Sequence, residues 1–283
     1  MTAILPGALG RGRRRRGIPR LAWREAGDGR PVLLIHGFPS DGRIFAGQLD
    51  AASRGDLPAH VVAPDLPGFG RTPALETPDE GVDVLEVPDL VEAVIAFIAE
   101  RRLDRAVVGG VAIGGYIAIE LAAEHPDLVR GLVLIGTKPA PDAPANGPRR
   151  EAVAQLALER GAAAVADELG AEPFAPGASP EAVAAFRRMI EDADPRGIAG
   201  LVRGLHRRPD PTLALDMIQA VAVPTLVLVG SEDPFTKPAD ARRLADMLPG
   251  STFREIPGAG HLPPIETPDA VTNAIGRFLS TLP

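Results

Sequence analysis

The chain has 283 residues, 45% of them hydrophobic and 24% charged, with a net charge of −7 and no cysteine. That length suits one large α/β domain or a core domain with an insertion, in an ordinary globular composition. Without cysteine there is no disulfide, thiol catalysis or thiolate metal site, and no apolar run approaches the ~20 residues that span a bilayer.

RGRRRRGIPR, residues 11–20, opposes the acidic net charge. An export signal with twin arginines needs a long apolar stretch next, and Ile18–Trp23 is too short and too interrupted. A nucleic-acid arm is conceivable, but aromatic residues are scarce and no basic cluster elsewhere supports it. Residues 1–20 are therefore expected to be a solvated arm. The protein is expected to be cytoplasmic, with no nucleic-acid or membrane partner, acting on a small molecule as a monomer or homodimer.

Beyond the arm, strands alternate with helices. PVLLI (31–35) is a short continuous apolar run, as in a strand buried on both faces of a parallel sheet. A helix is expected over Ile44–Ser53 and a strand over His60–Pro64, followed by a Pro- and acid-rich surface loop at 71–87. Pro88, well tolerated in a first turn, opens a helix to Arg101 with Leu90, Val91, Val94, Ile95 and Ile98 at helical spacing. Ala106–Gly109 reads as a strand, Tyr116–Glu124 as a helix and Leu132–Ile135 as a strand. Such alternation predicts a doubly wound, mostly parallel α/β sheet.

The pattern changes at KPAPDAPANGP (138–148). Helices are expected at 149–169, 180–192, 196–207 and 211–220, and the sheet resumes with TLVLV (225–229). A helix at Ala239–Met247, a strand at Thr252–Ile256 and a helix at Pro268–Leu279 complete the chain. The domain reading is a core at 21–137 and 221–283, with residues 138–220 inserted as a helical cap over the carboxyl ends of the strands, where ligands bind in such sheets.

Five short motifs fall just after strands: HGFP (36–39), DLPGFG (65–70), GVAIG (110–114), Asp233 in GSEDPF, and His261 in GAGHLPP. In that order they resemble the α/β-hydrolase fold family, over roughly Leu21–Leu282. They look most like its capped branch of esterases, lactonases, carbon–carbon hydrolases, epoxide hydrolases and dehalogenases. The resemblance implies a nucleophile elbow centred on Ala112, with His261 as the base and Asp233 as the acid that orients it. It also implies an oxyanion hole from the backbone N–H groups of Phe38 and Ile113. Glu232 competes with Asp233, but the family spacing from Gly230 favours Asp233. His36 is expected to tie loops together and Asp65 to fix its turn, while His60, His125 and His206 are bystanders. The histidines are too scattered for a metal site. No dinucleotide fingerprint is present, so neither metal nor cofactor is expected.

The family nucleophile is Ser, sometimes Asp or Cys, yet residues 105–119 contain no Ser, Thr, Cys or Asp. Losing a triad nucleophile costs around 10⁶-fold in kcat. Three readings remain. In the first, the site belongs to a hydrolase of a small, largely apolar ester, lactone or C–C substrate whose Ser has been replaced by Ala112, by engineering or by natural loss. In the second, His261 and Asp233 act as a general base in a lyase, an isomerase or cyclase, or a cofactor-free oxygenase. In the third, the pocket only binds. Expected substrate contacts are Phe38, Tyr116, Phe186, Met189 and Leu262, although an aromatic such as Tyr116 packs by default.

Overall fold

The computed structural model describes residues 17–75 and 84–283. Apart from residues 17–20, the basic arm lies outside the described residues, as do residues 76–83 of the 71–87 loop. Strands and helices are numbered in chain order. Seven strands form one sheet: β1 (Trp23–Ala26), β2 (Arg30–Ile35), β3 (Ala59–Pro64), β4 (Ala106–Val111), β5 (Val129–Ile135), β6 (Thr225–Gly230) and β7 (Thr252–Ile256). Their order is β1-β3-β2-β4-β5-β6-β7; β1 is antiparallel to β3 and every other neighbouring pair is parallel. Continuous apolar runs became the central strands, because a parallel strand covered on both faces has no polar side to show. Val32, Leu33, Leu34 and Ile35 in β2 and Val107 and Val108 in β4 are fully buried.

The edge strand β1 carries no such run. Its sequence WREA is half-buried, with Arg24 paired to Asp65 and Glu25 to Arg101. Charged side chains on an edge discourage pairing with another chain, and they also hide the strand from a search for apolar runs.

Helices α1 (Ala46–Arg54), α2 (Val87–Arg101) and α3 (Ile113–Glu124) lie between the early strands, and α8 (Pro238–Asp246), α9 (Pro263–Glu266) and α10 (Pro268–Thr281) flank the later ones. Helix α3 is apolar almost all round, so it is buried almost all round. It approaches β2 so closely that a Cβ on Gly114 would overlap the Ile35 carbonyl oxygen. Between β5 and β6 the chain forms α4 (Gly147–Leu169), α5 (Pro180–Glu191), α6 (Pro195–His206) and α7 (Thr212–Val221). Helix α4 breaks at Gly161, whose φ of 81° is not helical. Ser179 and Asp194 cap α5 and α6 by accepting from Ala182 N and Arg196 N, and a proline follows each cap. No helix among the described residues is long and apolar enough to cross a membrane.

Strand order converts distant sequence positions into neighbours. β2, β4, β5, β6 and β7 lie side by side and point the same way. Their carboxyl ends therefore bring Phe38, Ala112, Gly136, Asp233 and His261 to one edge of the sheet, where open α/β sheets bind ligands. The edge is stitched by backbone bonds: Ala112 N donates to Ile135 O at 2.9 Å and Gly136 N to Leu228 O at 2.9 Å.

Candidate active site

Ala112 joins β4 to α3 with φ 49° and ψ −108°. For an L-residue this is a strained conformation, of order 1–3 kcal/mol, that persists only when its surroundings impose it. Here the ladder bond to Ile135 and the packing of Gly114 on Ile35 impose it. The turn presents its central side chain to the cavity, but that side chain is a methyl group. The N–H of Ile113, first residue of α3, has no intrahelical acceptor and sits at the positive end of the helix. The N–H of Phe38, in the loop after β2, also has no protein acceptor among the described residues.

His261 and Asp233 form a close pair, Nδ1 to Oδ2 2.8 Å, with exposures of 8% and 1%. The other oxygen of Asp233 accepts from Phe235 N and Thr236 N, both at 2.8 Å. These bonds leave Oδ2 aimed at the imidazole, and the ring of Phe235 stands edge-on to it at 5.1 Å. A carboxylate at Nδ1 fixes the tautomer, so Nε2 is the nitrogen free to act as base. Glu232, the competing carboxylate, is exposed. The backbone around His261 is also held: its N–H donates to Pro173 O at 2.7 Å. Glu266 accepts from Gly260 N, Leu262 N and Ala175 N, each at 2.9 Å. The loop carrying the histidine is thereby tied to the turn between α4 and α5.

His36 lies beside the site without taking part. Its Nδ1 faces Gly37 O at 3.0 Å and its Nε2 accepts from Leu66 N at 2.8 Å, which joins the loops after β2 and β3. Burial holds it well below the ordinary histidine pKa. Asp65 serves its turn, accepting from Gly42 N and Arg71 N. His60 pairs with Glu25 at the sheet edge, and His206 lies 3.3 Å from Asp142. Among the described residues no three His, Asp or Glu side chains are grouped as a metal site needs.

A cavity of about 340 Å³ opens over Ala112, Ile113, Phe38, Gly136 and His261. Of the expected substrate contacts, Phe38, Tyr116 and Phe186 line it. Met189 and Leu262 do not: they are 2% and 1% exposed and face the packed interior. Met189 falls on the core-facing stripe of α5, and Leu262 is drawn inward where Glu266 binds its N–H. The apolar inventory read from the sequence describes only one wall. The rest of the lining carries four cations, Lys138, Arg149, Arg150 and Arg208, against two carboxylates, Asp142 and Glu172. Sequence reasoning missed that part because it is assembled from three separate segments. The one local signal was the pairing of Pro with basic residues at PRR (148–150) and RRP (207–209).

Residues 32–274 match the model of the alpha/beta hydrolase family. The chain belongs to that family. It is 33% identical to a malate-bound thermophilic esterase from Thermogutta terrifontis, with 92% of this chain and 93% of that one covered and a TM-score of 0.82. It is similar to the enol-lactonase of Burkholderia xenovorans LB400, at 26% identity, 92% and 96% coverage and a TM-score of 0.79. It also resembles the pimeloyl-[acyl-carrier protein] methyl ester esterase of Chromobacterium violaceum, 29% identical over 90% of this chain and 96% of that protein. By their names these three relatives are an esterase, an enol-lactonase and a methyl ester esterase.

Proposed function

We propose that the cavity is an acyl-transfer site for a small ester or lactone, in which Ala112 stands where the attacking side chain belongs. The observation carrying this reading is the conformation of Ala112 itself. A methyl group gains nothing from φ 49°, whereas an Oγ on the same Cβ would be presented over the helix N-terminus. In this reading Asp233 orients His261, whose Nε2 takes the proton of the attacking group and returns it to the leaving group. The N–H groups of Phe38 and Ile113 receive the oxyanion. Helices α4 to α7 form a cap that closes the cavity away from water. As the chain stands it binds substrate and lacks the group that forms the acyl-enzyme.

The test is Ala112→Ser, assayed on short-chain esters and lactones. A triad nucleophile is worth about 10⁶ in kcat, so hydrolysis should rise by several orders of magnitude and vanish again on adding His261→Ala. Background hydrolysis in a folded Ala112→Ser protein would refute the reading. Ala112 beside an intact His261–Asp233 pair favours one other chemistry: proton abstraction from a C–H acid, with the two N–H groups holding the enolate. That reading requires the unmodified chain to exchange substrate hydrogen for deuterium, and His261→Ala to stop the exchange.

A further inference from the structure

Arg208 is the most enclosed cation of the cavity wall, its side chain only 4% exposed. A guanidinium carries five N–H donors, and this one is short of acceptors. One Nη donates to Ala140 O at 3.1 Å, and the other lies 3.5 Å from Asp142 Oδ1. Nε is buried with no partner. Its face lies 4.5 Å over the ring of Tyr116, whose hydroxyl also interacts with the guanidinium. Buried donors in folded proteins are paired in the great majority of cases, and one left unpaired beside a cavity is available to a ligand there.

The nearby carboxylates are already engaged. Asp142 also meets Arg150 at 3.3 Å, Asn146 Nδ2 at 2.8 Å and His206 at 3.3 Å. Burial acts to raise its pKa, but Arg150, Asn146 and Arg208 together hold it below the ordinary carboxylate value, so it remains ionised. Glu172 is paired with Arg149. Lys138 Nζ donates to Phe235 O at 3.4 Å and has no carboxylate partner among the described residues. Arg208 and Lys138 thus leave the cavity with positive charge unmatched by the protein. Burial raises the Tyr116 phenol pKa, so Tyr116 adds no negative charge.

We propose that the Arg208–Lys138 wall is a subsite for an anionic group on the substrate, a carboxylate or a phosphomonoester. The substrate is then an ester or lactone with one charged end, and the assignment rests on the acyl-transfer reading for its reacting end. Tyr116 lies one helical turn beyond Ala112, about 6 Å along α3. Arg208 stacks on that ring, so the anion is separated from the scissile carbonyl by a short spacer.

Ala112 makes the experiment direct, because the chain can be titrated with intact esters. Calorimetry should show monomethyl adipate binding about ten- to hundredfold tighter than dimethyl adipate, the scale of one or two charge-assisted hydrogen bonds. Arg208→Gln and Lys138→Met should each erode that preference, with folding checked by thermal melting. If Arg208→Gln does not fold, Lys138→Met decides. Acetate and inorganic phosphate, run as competitors against monomethyl adipate, assign the anion: the stronger competitor names the group. Equal binding of the two esters to the parent chain, or a preference that survives in the folded variants, overturns the subsite. The two readings fail separately. Hydrolysis of dimethyl adipate by Ala112→Ser, with no preference for the monoester, sinks the subsite and keeps the acyl-transfer site. Preference for the monoester with no hydrolysis by Ala112→Ser does the reverse.

Discussion

Gly136, the residue after β5, has φ +57°, and a Cβ added there would lie 3.0 Å from His261 Cε1, 3.1 Å from Nδ1 and 3.4 Å from Asp233 Oδ2. The expected consequence of Gly136→Ala follows from what holds the imidazole. Its backbone is bonded to Pro173, its Nδ1 to Asp233, and Phe235 bounds its face. The ring has to give by a few tenths of an ångström, and the direction available is away from Gly136. A displacement of 1 Å costs a catalytic constellation about 10²-fold, so a few tenths correspond to roughly five- to tenfold in kcat/KM. The positive φ adds about 1 kcal/mol of instability, which is about 2–4 °C in Tm for a chain of this size. Gly250→Ala separates the two effects, since Gly250 has φ +82° with nothing within 4 Å of a new Cβ. Both substitutions, placed in the Ala112→Ser background, should lower Tm alike, while only Gly136→Ala lowers ester hydrolysis. Equal kcat/KM for the two variants would refute the claim that Gly136 is kept bare to seat the histidine.

In the same background, Asp233→Asn keeps an oxygen for Phe235 N and Thr236 N but turns an amide N–H toward His261 Nδ1. Hydrolysis should fall about 10⁴-fold with little change in the melting curve. Glu266→Gln leaves one carbonyl oxygen where two carboxylate oxygens accept from Ala175, Gly260 and Leu262. One N–H loses its acceptor, and denaturant unfolding should show a loss of about 1–3 kcal/mol. His36 is neutral because burial depresses its folded pKa. Below about pH 6.5, the ordinary histidine value, the unfolded chain therefore takes up a proton that the folded chain refuses. Stability from this group is complete above that pH and falls as pH drops toward the folded value, by at most about 1.4 kcal/mol per pH unit. Comparing ΔG of unfolding at pH 7 and pH 5 for the parent and His36→Gln should show a shallower acid loss in the variant.

What the sequence disclosed, and what it hid, follows from the range of the forces involved. Strands buried on both faces, such as Leu33–Ile35 and Leu226–Val229, appear as contiguous apolar letters. The alternation of such strands with helices was therefore legible, and the helices between Gly147 and Val221 were marked off by the Pro, Gly and Asp residues between them. The edge strand Trp23–Ala26 was not, because its stability comes from pairing with β3 and from ion pairs formed with residues far away in sequence, such as Asp65 and Arg101. Ala112, Asp233 and His261 could be marked because each follows a strand in a motif of fixed local chemistry. Gly136 and Glu266 carry no such motif, and their importance lies in what touches them. Arg208 was hidden for the same reason: an arginine near a helix end reads as solvated until the fold encloses it.

Most parts of the site also serve the fold, which bears on what their persistence means. Asp233 closes its own turn through Phe235 N and Thr236 N, and His261 anchors a loop to Pro173. Gly114 lets α3 pack on β2. Each would be retained by stability alone, so an intact acid–base pair beside Ala112 is weak evidence of turnover. The telling groups are those with donor capacity the fold leaves unused: the Phe38 and Ile113 N–H groups, the Arg208 Nε and the remaining Lys138 Nζ hydrogens, all on residues that line the cavity. Buried donors without acceptors destabilise a fold by about 1–3 kcal/mol each, and that cost is offset only when a ligand arrives. Two unpaired donor sets facing one cavity fit a molecule with an electron-rich carbonyl at one end and a charge at the other. Removing the donors should therefore stabilise the unliganded protein while it weakens binding. Lys138→Met, which leaves no carboxylate orphaned, is the variant in which both signs can be read: an unchanged or raised Tm together with poorer binding of monomethyl adipate. A lowered Tm would mean that Lys138 works for the fold after all.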